Sequence, residues 1–293
     1  MDKEERFDVA IIGAGPGGYV AAIKAAQKGK RVALIEKEYL GGTCLNCGCI
    51  PTKTLIANAQ VLEKLLKAPS YGITTGPIHF DYHKMKERKD TVIKGIRKSL
   101  EGLLKSNGIT VLMGTAKFLT PTSLKVTGNT NLILHADSII IATGSTTLDM
   151  KAFPCDHQYI LNSTSILEMD SLPKSLAIIG GGYIGCEFAS LYAQLGVKVT
   201  ILEALPDIIS FQGKALSQFL TTTFKKQGID IKTHVMVQGI ETTKKGVKIT
   251  LADGTSLESD KALVSIGRKL VTDGLDIGKA GLALNAKDRK SVV

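Results

Sequence analysis

The sequence matches itself at an offset of 167 residues. Residues 10–36 read AIIGAGPGGYVAAIKAAQKGKRVALIE, and residues 177–203 read AIIGGGYIGCEFASLYAQLGVKVTILE. Twelve of these 27 aligned positions are identical, and the internal spacings agree. Two lobes of one architecture follow. In each copy an apolar run (9–12; 176–179) has the composition of a buried parallel strand. A glycine turn then opens a helix that should end near Gly29 or Gly196, where a C-cap is wanted. A second strand (32–35; 199–202) closes on a glutamate.

Each glycine turn has the pattern that brings backbone up to a pyrophosphate. In Gly13-x-Gly15-x-x-Gly18 the first glycine permits the tight turn, the second allows close backbone approach and the third lets the helix pack closely. The helix N-terminus offers N–H groups and partial positive charge to phosphates. Glu36 lies 18 residues after Gly18, where a carboxylate can hold ribose hydroxyls. The second copy repeats this with Gly180, Gly182, Gly185 and Glu203. A carboxylate at Glu203 accepts a 2′-hydroxyl and repels a 2′-phosphate. Residues 204–209 (ALPDII) hold no arginine or lysine to rescue that phosphate, so NAD is expected rather than NADP. That both lobes take the same kind of nucleotide, or that one has decayed, stays open at this point.

Between the copies the pattern changes. Residues 42–66 read as one long helical region and 81–107 as a second, more charged helix. Residues 109–135 read as short strands with turns, and 138–141 as another buried strand ending in Ala142-Thr143-Gly144. After the second copy come a helix (214–227), a meander (229–257) and a strand (262–266) ending at Gly267-Arg268. Composition excludes some classes. No apolar run approaches the ~20 residues of a membrane span, and MDKEERFD at the N-terminus has no apolar signal core, so a cytoplasmic protein is expected. The formal charge is +10 over 293 residues, but no three basic residues are consecutive. A solvated surface plus attraction to anionic dinucleotides accounts for this charge without nucleic acid as a partner.

Three of the five cysteines, Cys44, Cys47 and Cys49, lie within six residues; the others are Cys155 and Cys186. Such a cluster points to redox chemistry or metal binding. Spacings of two and then one residue are poor for zinc, and no histidine follows at ligand distance, so no metal is expected. Cys44 and Cys49 stand at the start of a helical region, and a helix N-terminus favours thiolate. A reactive dithiol beside a flavin could pass two electrons between a substrate disulfide and the ring.

The segment GGTCLNCGCIPTK (41–53) resembles the redox-active segment of the pyridine nucleotide–disulfide oxidoreductases, and within them the dihydrolipoamide dehydrogenases. The order of parts is similar too, from about Phe7 to Asn285. The resemblance implies an α/β fold of two Rossmann-like three-layer nucleotide-binding domains, with FAD in the first lobe and NAD in the second. The expected division is 1–148 for the FAD-binding domain with the redox-active disulfide, 149–270 for the NAD-binding domain and 271–293 for the start of an incomplete return to the first. It further implies that Cys49 is the flavin-proximal thiol and Cys44 the thiol exchanging with dihydrolipoamide. Lys53 would approach the flavin and pair with Glu187. Ala116 and the Ala142-Thr143-Gly144 turn would contact FAD through the backbone, and Val235 and Gly267 would line the NAD site.

By the same resemblance the reaction is oxidation of dihydrolipoamide with reduction of NAD. The partner would be a lipoyl-bearing acyltransferase of a 2-oxo acid dehydrogenase complex, with a homodimer in the full-length family. Family members continue past the residues after Gly267 with a glycine-aspartate motif and an interface domain carrying a His-Glu pair. None of His79, His83, His135, His157 and His234 lies in such a motif, so a chain without the C-terminal interface domain and an impaired activity are expected. Glutathione and mercuric reductases share the layout, but commonly with basic residues at the second nucleotide site. A non-catalytic nucleotide-binding remnant is the alternative from another class. Cys47 departs from the usual apolar or basic residue; packing as a small apolar side chain and scrambling the disulfide are both open to it.

Overall fold

The computed structural model describes residues 3–129, 131–148, 150–285 and 291–292. In chain order the first stretch is β1 (Lys3–Ile12), α1 (Pro16–Gln27), β2 (Val32–Glu36), α2 (Gly42–Cys47), α3 (Cys49–Lys67) and α4 (Tyr82–Ser106). Then come β3 (Thr110–Thr120), β4 (Ser123–Gly128), β5 (Leu132–Ile141), β6 (Ser145–Thr147) and β7 (Ile160–Asn162). The second lobe adds β8 (Ser175–Ile179), α5 (Tyr183–Gln194), β9 (Lys198–Leu202), α6 (Lys214–Lys226) and β10 (Asp230–Lys232). It continues through β11 (Val237–Thr243), β12 (Gly246–Leu251), β13 (Ser256–Ser259) and β14 (Lys261–Val264), and β15 (Arg268–Leu270), β16 (Ala283–Leu284) and β17 (Ser291–Val292) follow.

The chain divides into two compact units: residues 1–50, 92–146 and 268–293 in one, and 51–91 with 147–267 in the other. The division expected from sequence placed 51–91 with the first lobe. Its apolar side chains show why it clusters otherwise. Leu55, Ala59 and Leu62 of α3 and Tyr82 of α4 are buried in one core with Leu161, Ile166, Phe188 and Tyr192 of the second lobe.

In the first unit β1 to β5 close into a barrel. β1 pairs in parallel with β2 and with β5, and β2 with β3. β3–β4 and β4–β5 are antiparallel. Alternation along β1 separates two cores, as a strand of period two requires. Ala10 and Ile12 join Phe118, Leu124 and Leu134 on the barrel side, and Ile11 joins Ala22, Leu34 and Leu104 on the helix side. The sequence reading split 132–141 into a short strand and a separate buried one. The structure has one ten-residue strand, because β1 pairs with it from Lys3 to Ile12. Its last part is not fully buried, and Ile140 is 39% exposed.

The second unit has three layers. The central sheet is parallel, in the order β10-β9-β8-β14-β7. Leu176 and Ile178 of β8 face a helical core with Phe188, Leu191 and Phe224. Ala177 and Ile179 face the antiparallel meander β11-β12-β13 through Val237, Ile249 and Leu251. β8 lies between β9 and β14, so the turn at its C-terminal end sits where strand order reverses, the usual place for a ligand in such sheets. Among the described residues no helix is long and apolar enough to cross a membrane.

Candidate functional site

The two glycine turns are built alike. Gly13 has φ +101° and Gly180 φ +100°, a region that L side chains rarely enter. A β-carbon on Gly13 would lie 2.4 Å from the Ala142 carbonyl oxygen, and one on Gly180 would lie 2.7 Å from that of Ser265. Gly18 and Gly185 press on the carbonyls of those first glycines, with 1.8 and 2.1 Å left for a β-carbon. The middle glycines differ: nothing lies within 4 Å of the β-carbon position of Gly182, and only the Gly42 Cα, at 3.8 Å, near that of Gly15. First and third positions are thus closed by packing, and the second leaves room on its outer side. Both middle glycines are N-caps with extended backbone and no side-chain cap, on helices of 12 residues. The leading N–H groups of such helices lack intrahelical acceptors and suit a pyrophosphate.

The terminal glutamates complete the match. Glu36 accepts hydrogen bonds from the N–H of Ala14 at 2.8 Å and of Glu38 at 2.9 Å. Glu203 accepts from Gly181 at 2.6 Å and Leu205 at 2.8 Å. Each carboxylate spends one lone pair per oxygen on its own turn. An ionised carboxylate offers about four acceptor sites, so two remain for ribose hydroxyls. The residues present therefore fit a dinucleotide in each turn.

The cysteines occupy two helices rather than the single one expected. Gly48 ends α2 at φ −142°, ψ −107°, and a β-carbon there would lie 2.9 Å from the Thr43 carbonyl oxygen. Cys44 falls in the first turn of α2, Cys47 is its last residue, and Cys49 is the first residue of the 19-residue α3. Cys49 is exposed, and Cys44 and Cys47 are half-buried. α2 is docked on the first glycine turn: Gly41 donates to the Ala14 carbonyl at 2.9 Å, and Gly42 leaves only 2.6 Å between a β-carbon and the Gly15 Cα. Leu45 is buried in the core beneath. The Asn46 amide donates to the Leu40 and Gly42 carbonyls and accepts from Arg97, whose guanidinium lies 4.3 Å over the Tyr39 ring. Sequence reading missed Asn46 and Arg97, since 51 residues separate them.

In the second unit Lys53 and Glu187 meet as a partly exposed ion pair. Val235 donates to the Glu203 carbonyl at 2.9 Å, and Gly267 has φ +140°. In the first unit Ala116 pairs with Val126 inside the barrel. Thr143 donates through its hydroxyl to the Val271 carbonyl, and Val271 donates back to Gly144 at 3.0 Å. Arg268 then binds both the hydroxyl and the carbonyl of Ser145. The Ala142-Thr143-Gly144 turn and Ser145 are therefore held by the segment after Gly267. Cys186 is buried and donates to the Gly181 carbonyl. Burial, with the nearby Glu203 charge, pushes its pKa up to about 12. Among the described residues no group of three histidine, cysteine or acidic side chains could hold a metal ion.

Two glycine turns that fit dinucleotides, with a cysteine-bearing helix docked on the first, make up the geometry of the candidate site. Residues 7–292 match the family model described as pyridine nucleotide-disulphide oxidoreductase, and the chain belongs to that family. It is 49% identical over 278 residues to a dihydrolipoyl dehydrogenase of Chlamydia pneumoniae, covering 95% of this chain and 60% of that protein. Against a dihydrolipoyl dehydrogenase of Bacillus subtilis the identity is 40%, over 95% and 62%. The copper(II) complex of the HOCl-induced flavoprotein disulfide reductase RclA from Escherichia coli has a TM-score of 0.86 at 33% identity, over 99% of this chain and 62% of that one. The chain thus spans about 60% of the length of the curated relatives it matches. The family and its dihydrolipoyl dehydrogenases use FAD and NAD(H).

Proposed function

We propose that this chain carries the FAD lobe, the redox dithiol and the NAD lobe of a dihydrolipoamide-oxidising enzyme. The observation that carries the reading is the docking of α2 on the first glycine turn, through the Gly41 N–H and the Gly42–Gly15 contact. Gly13, Gly15, Gly18 and Glu36, with Ala116 and the Thr143–Gly144 turn, hold FAD. Gly180, Gly182, Gly185 and Glu203, with Val235 and Gly267, hold NAD. When bound, these cofactors supply the two-electron redox chemistry.

The chain's own part is thiol exchange. A thiolate of the dithiol substrate attacks Sγ of Cys44 in a Cys44–Cys49 disulfide, and Cys49 leaves as thiolate. The second substrate thiol then attacks the mixed disulfide, releasing Cys44 and the cyclic substrate disulfide. Two electrons reach the cysteine pair and the substrate gives up two protons. Lys53, one helical turn after Cys49 on α3, is oriented by Glu187 and holds positive charge on the cofactor side. Deprotonating a dithiol is work for a base with a pKa near the working pH, and no histidine of this sequence precedes a glutamate. This 293-residue chain assayed alone is therefore expected to turn lipoamide over slowly. In the cell it would act in the cytoplasm, with the lipoyl-bearing acyltransferase of a 2-oxo acid dehydrogenase complex as its partner; the homodimer belongs to the full-length family.

The test is a visible spectrum of the purified chain after incubation with FAD, followed by anaerobic addition of dihydrolipoamide. A flavin band that the dithiol bleaches, and that no longer responds in Cys44→Ser or Cys49→Ser, is expected. Colourless protein that refuses FAD overturns the reading. Response to glutathione disulfide or Hg²⁺ in place of lipoamide would move the chain to another reductase of the family.

A further inference from the structure

We propose that Cys47 is a third member of the redox site, exchanging with the Cys44–Cys49 pair and parking it as a Cys44–Cys47 disulfide. The inference rests on the reading of Cys44 and Cys49 as an exchanging pair. α2 carries Cys44 and Cys47 three residues apart. On a helix that spacing puts two side chains on one face, with Cβ atoms about 5–6 Å apart. A disulfide needs Cβ atoms about 3.5–4.5 Å apart, so the two β-carbons need to close by only about 1–2 Å. The fold supplies the place for that movement. Cys47 is the last helical residue, and Gly48 after it has already left helical geometry.

The rest of α2 is held, by burial of Leu45 and by the hydrogen bonds of Asn46 to Leu40, Gly42 and Arg97. Closure is thereby confined to the helix end. The third pairing, Cys47 with Cys49, would close over a single glycine, between residues whose side chains do not share a helix face. Nor do the three sulfurs converge as a chelate, for among the described residues no group of three metal-ligating side chains forms. Pairwise exchange around Cys44 is what this arrangement allows.

The step is neutral in electrons. The Cys47 thiolate attacks Sγ of Cys44, the Cys44–Cys49 bond breaks, and Cys49 leaves as thiolate, taking up the proton that Cys47 released. No oxidant is consumed. The parked form takes electrons only from an external dithiol, because the sulfur on the cofactor side is no longer in the disulfide. Cys47 thus divides the oxidised protein between a form open to the nucleotide side and one closed to it.

A single tryptic peptide, residues 38–53, contains all three cysteines, with no lysine or arginine before Lys53. After acid quenching and alkylation of the oxidised full chain, the position of the one labelled cysteine therefore reports the linkage. Label on Cys47 marks the Cys44–Cys49 form, and label on Cys49 marks the parked form. The expected result is that both appear, with the parked form at least about one tenth of the total, and that Cys49→Ser loses both remaining thiols of the peptide on treatment with diamide. Label on Cys47 alone, together with two alkylatable thiols in oxidised Cys49→Ser, overturns the proposal, as does label on Cys44. Cys47→Ser separates the two claims. Its failure to close Cys44–Cys49 would sink the exchanging pair itself, whereas its closure with no parked form in the parent chain sinks only the role of Cys47.

Discussion

Gly42 stands against Gly15, with only 2.6 Å left between a β-carbon at Gly42 and the Gly15 Cα. One contact between two residues without side chains thus sets the cysteine-bearing helix on the first nucleotide turn. It explains the glycine at 42, while a β-carbon at the preceding Gly41 would meet the Leu45 side chain at 2.2 Å; both glycines have positive φ.

Gly42→Ala should therefore be costly. The left-handed backbone at φ +57° costs an L side chain about 1–2 kcal/mol, and the clash falls on backbone, which yields less than a flexible side chain. A loss of at least about 2 kcal/mol in stability is expected, with weakened FAD binding. Gly17→Ala is the control, since its β-carbon position meets nothing within 4 Å, and alanine favours a helix by about 1 kcal/mol. Denaturant titration of the FAD-free proteins, then FAD titration, decides it; equal stability of the two variants would refute the close-packing argument.

Glu203→Gln should lose NADH more than NADPH. The carboxylate holds Gly181 and Leu205 with one lone pair per oxygen, and glutamine turns one of those oxygens into a donor. A hydrogen bond to a charged group contributes about 1.5–3 kcal/mol, so NADH affinity should drop at least about tenfold. Loss of charge repulsion should leave NADPH binding unchanged or improved. Fluorescence titration with both nucleotides reads this directly, and a parallel loss of the two would remove Glu203 from the ribose.

How much of this was legible beforehand depends on how local the signal was. The repeat fixed both glycine turns and their acids because βαβ units are contiguous, with strand, turn, helix and strand inside 27 residues. The break at Gly48 was hidden, because a lone glycine within an apolar-periodic stretch is compatible with a continuous helix. The pairing of β1 with β5 joins residues more than 120 apart, and so does the bond from Thr143 to Val271. Neither leaves a trace in local composition. Residues 51–91 cluster with the second lobe through Leu55, Leu62 and Tyr82, and an apolar helix face does not name the core it joins.

The Lys53–Glu187 pair separates function from stability. Both side chains are partly exposed, and exposed ion pairs typically contribute about 0–1 kcal/mol. Glu187→Gln should therefore leave the melting curve within about 1 kcal/mol of the parent. If Lys53 needs orienting, the rate at which dihydrolipoamide bleaches bound flavin should fall at least about tenfold. An unaltered bleaching rate would reduce the pair to a surface contact.

Cys186 should resist alkylation where Cys49 does not. Its pKa is pushed up to about 12, mainly by burial and then by the Glu203 charge, so at about pH 9 the folded chain keeps this thiol protonated while an unfolded chain half-ionises it. The folded state then binds more protons than the unfolded one, and stability falls as pH rises from about 9 towards 12. Cys186→Ala should flatten that part of the stability profile. Iodoacetamide labelling of the native protein at about pH 9, followed by peptide mapping, should find Cys49 modified and Cys186 untouched. Equal labelling would show the site to be open to solvent.

Lys89 offers the sharpest test of how the second unit is held together. Its side chain is fully buried, and its ammonium meets three acceptors: the Leu167 carbonyl at 2.9 Å, Glu168 at 2.8 Å and Asp90 at 3.1 Å. An ammonium has three donors, so its capacity is filled. The two carboxylates are themselves largely exposed, at 60% and 41%, and water can replace the lysine at both. Only the Leu167 carbonyl would be left unsatisfied. Lys89→Met, which keeps most of the stem volume, should then cost about 1–3 kcal/mol, the price of one buried acceptor. Lys89→Ala also opens a cavity where the stem packed and should cost about 3–5 kcal/mol. Urea titration of the two variants distinguishes the terms, because a dominant charge effect would make them equally unstable.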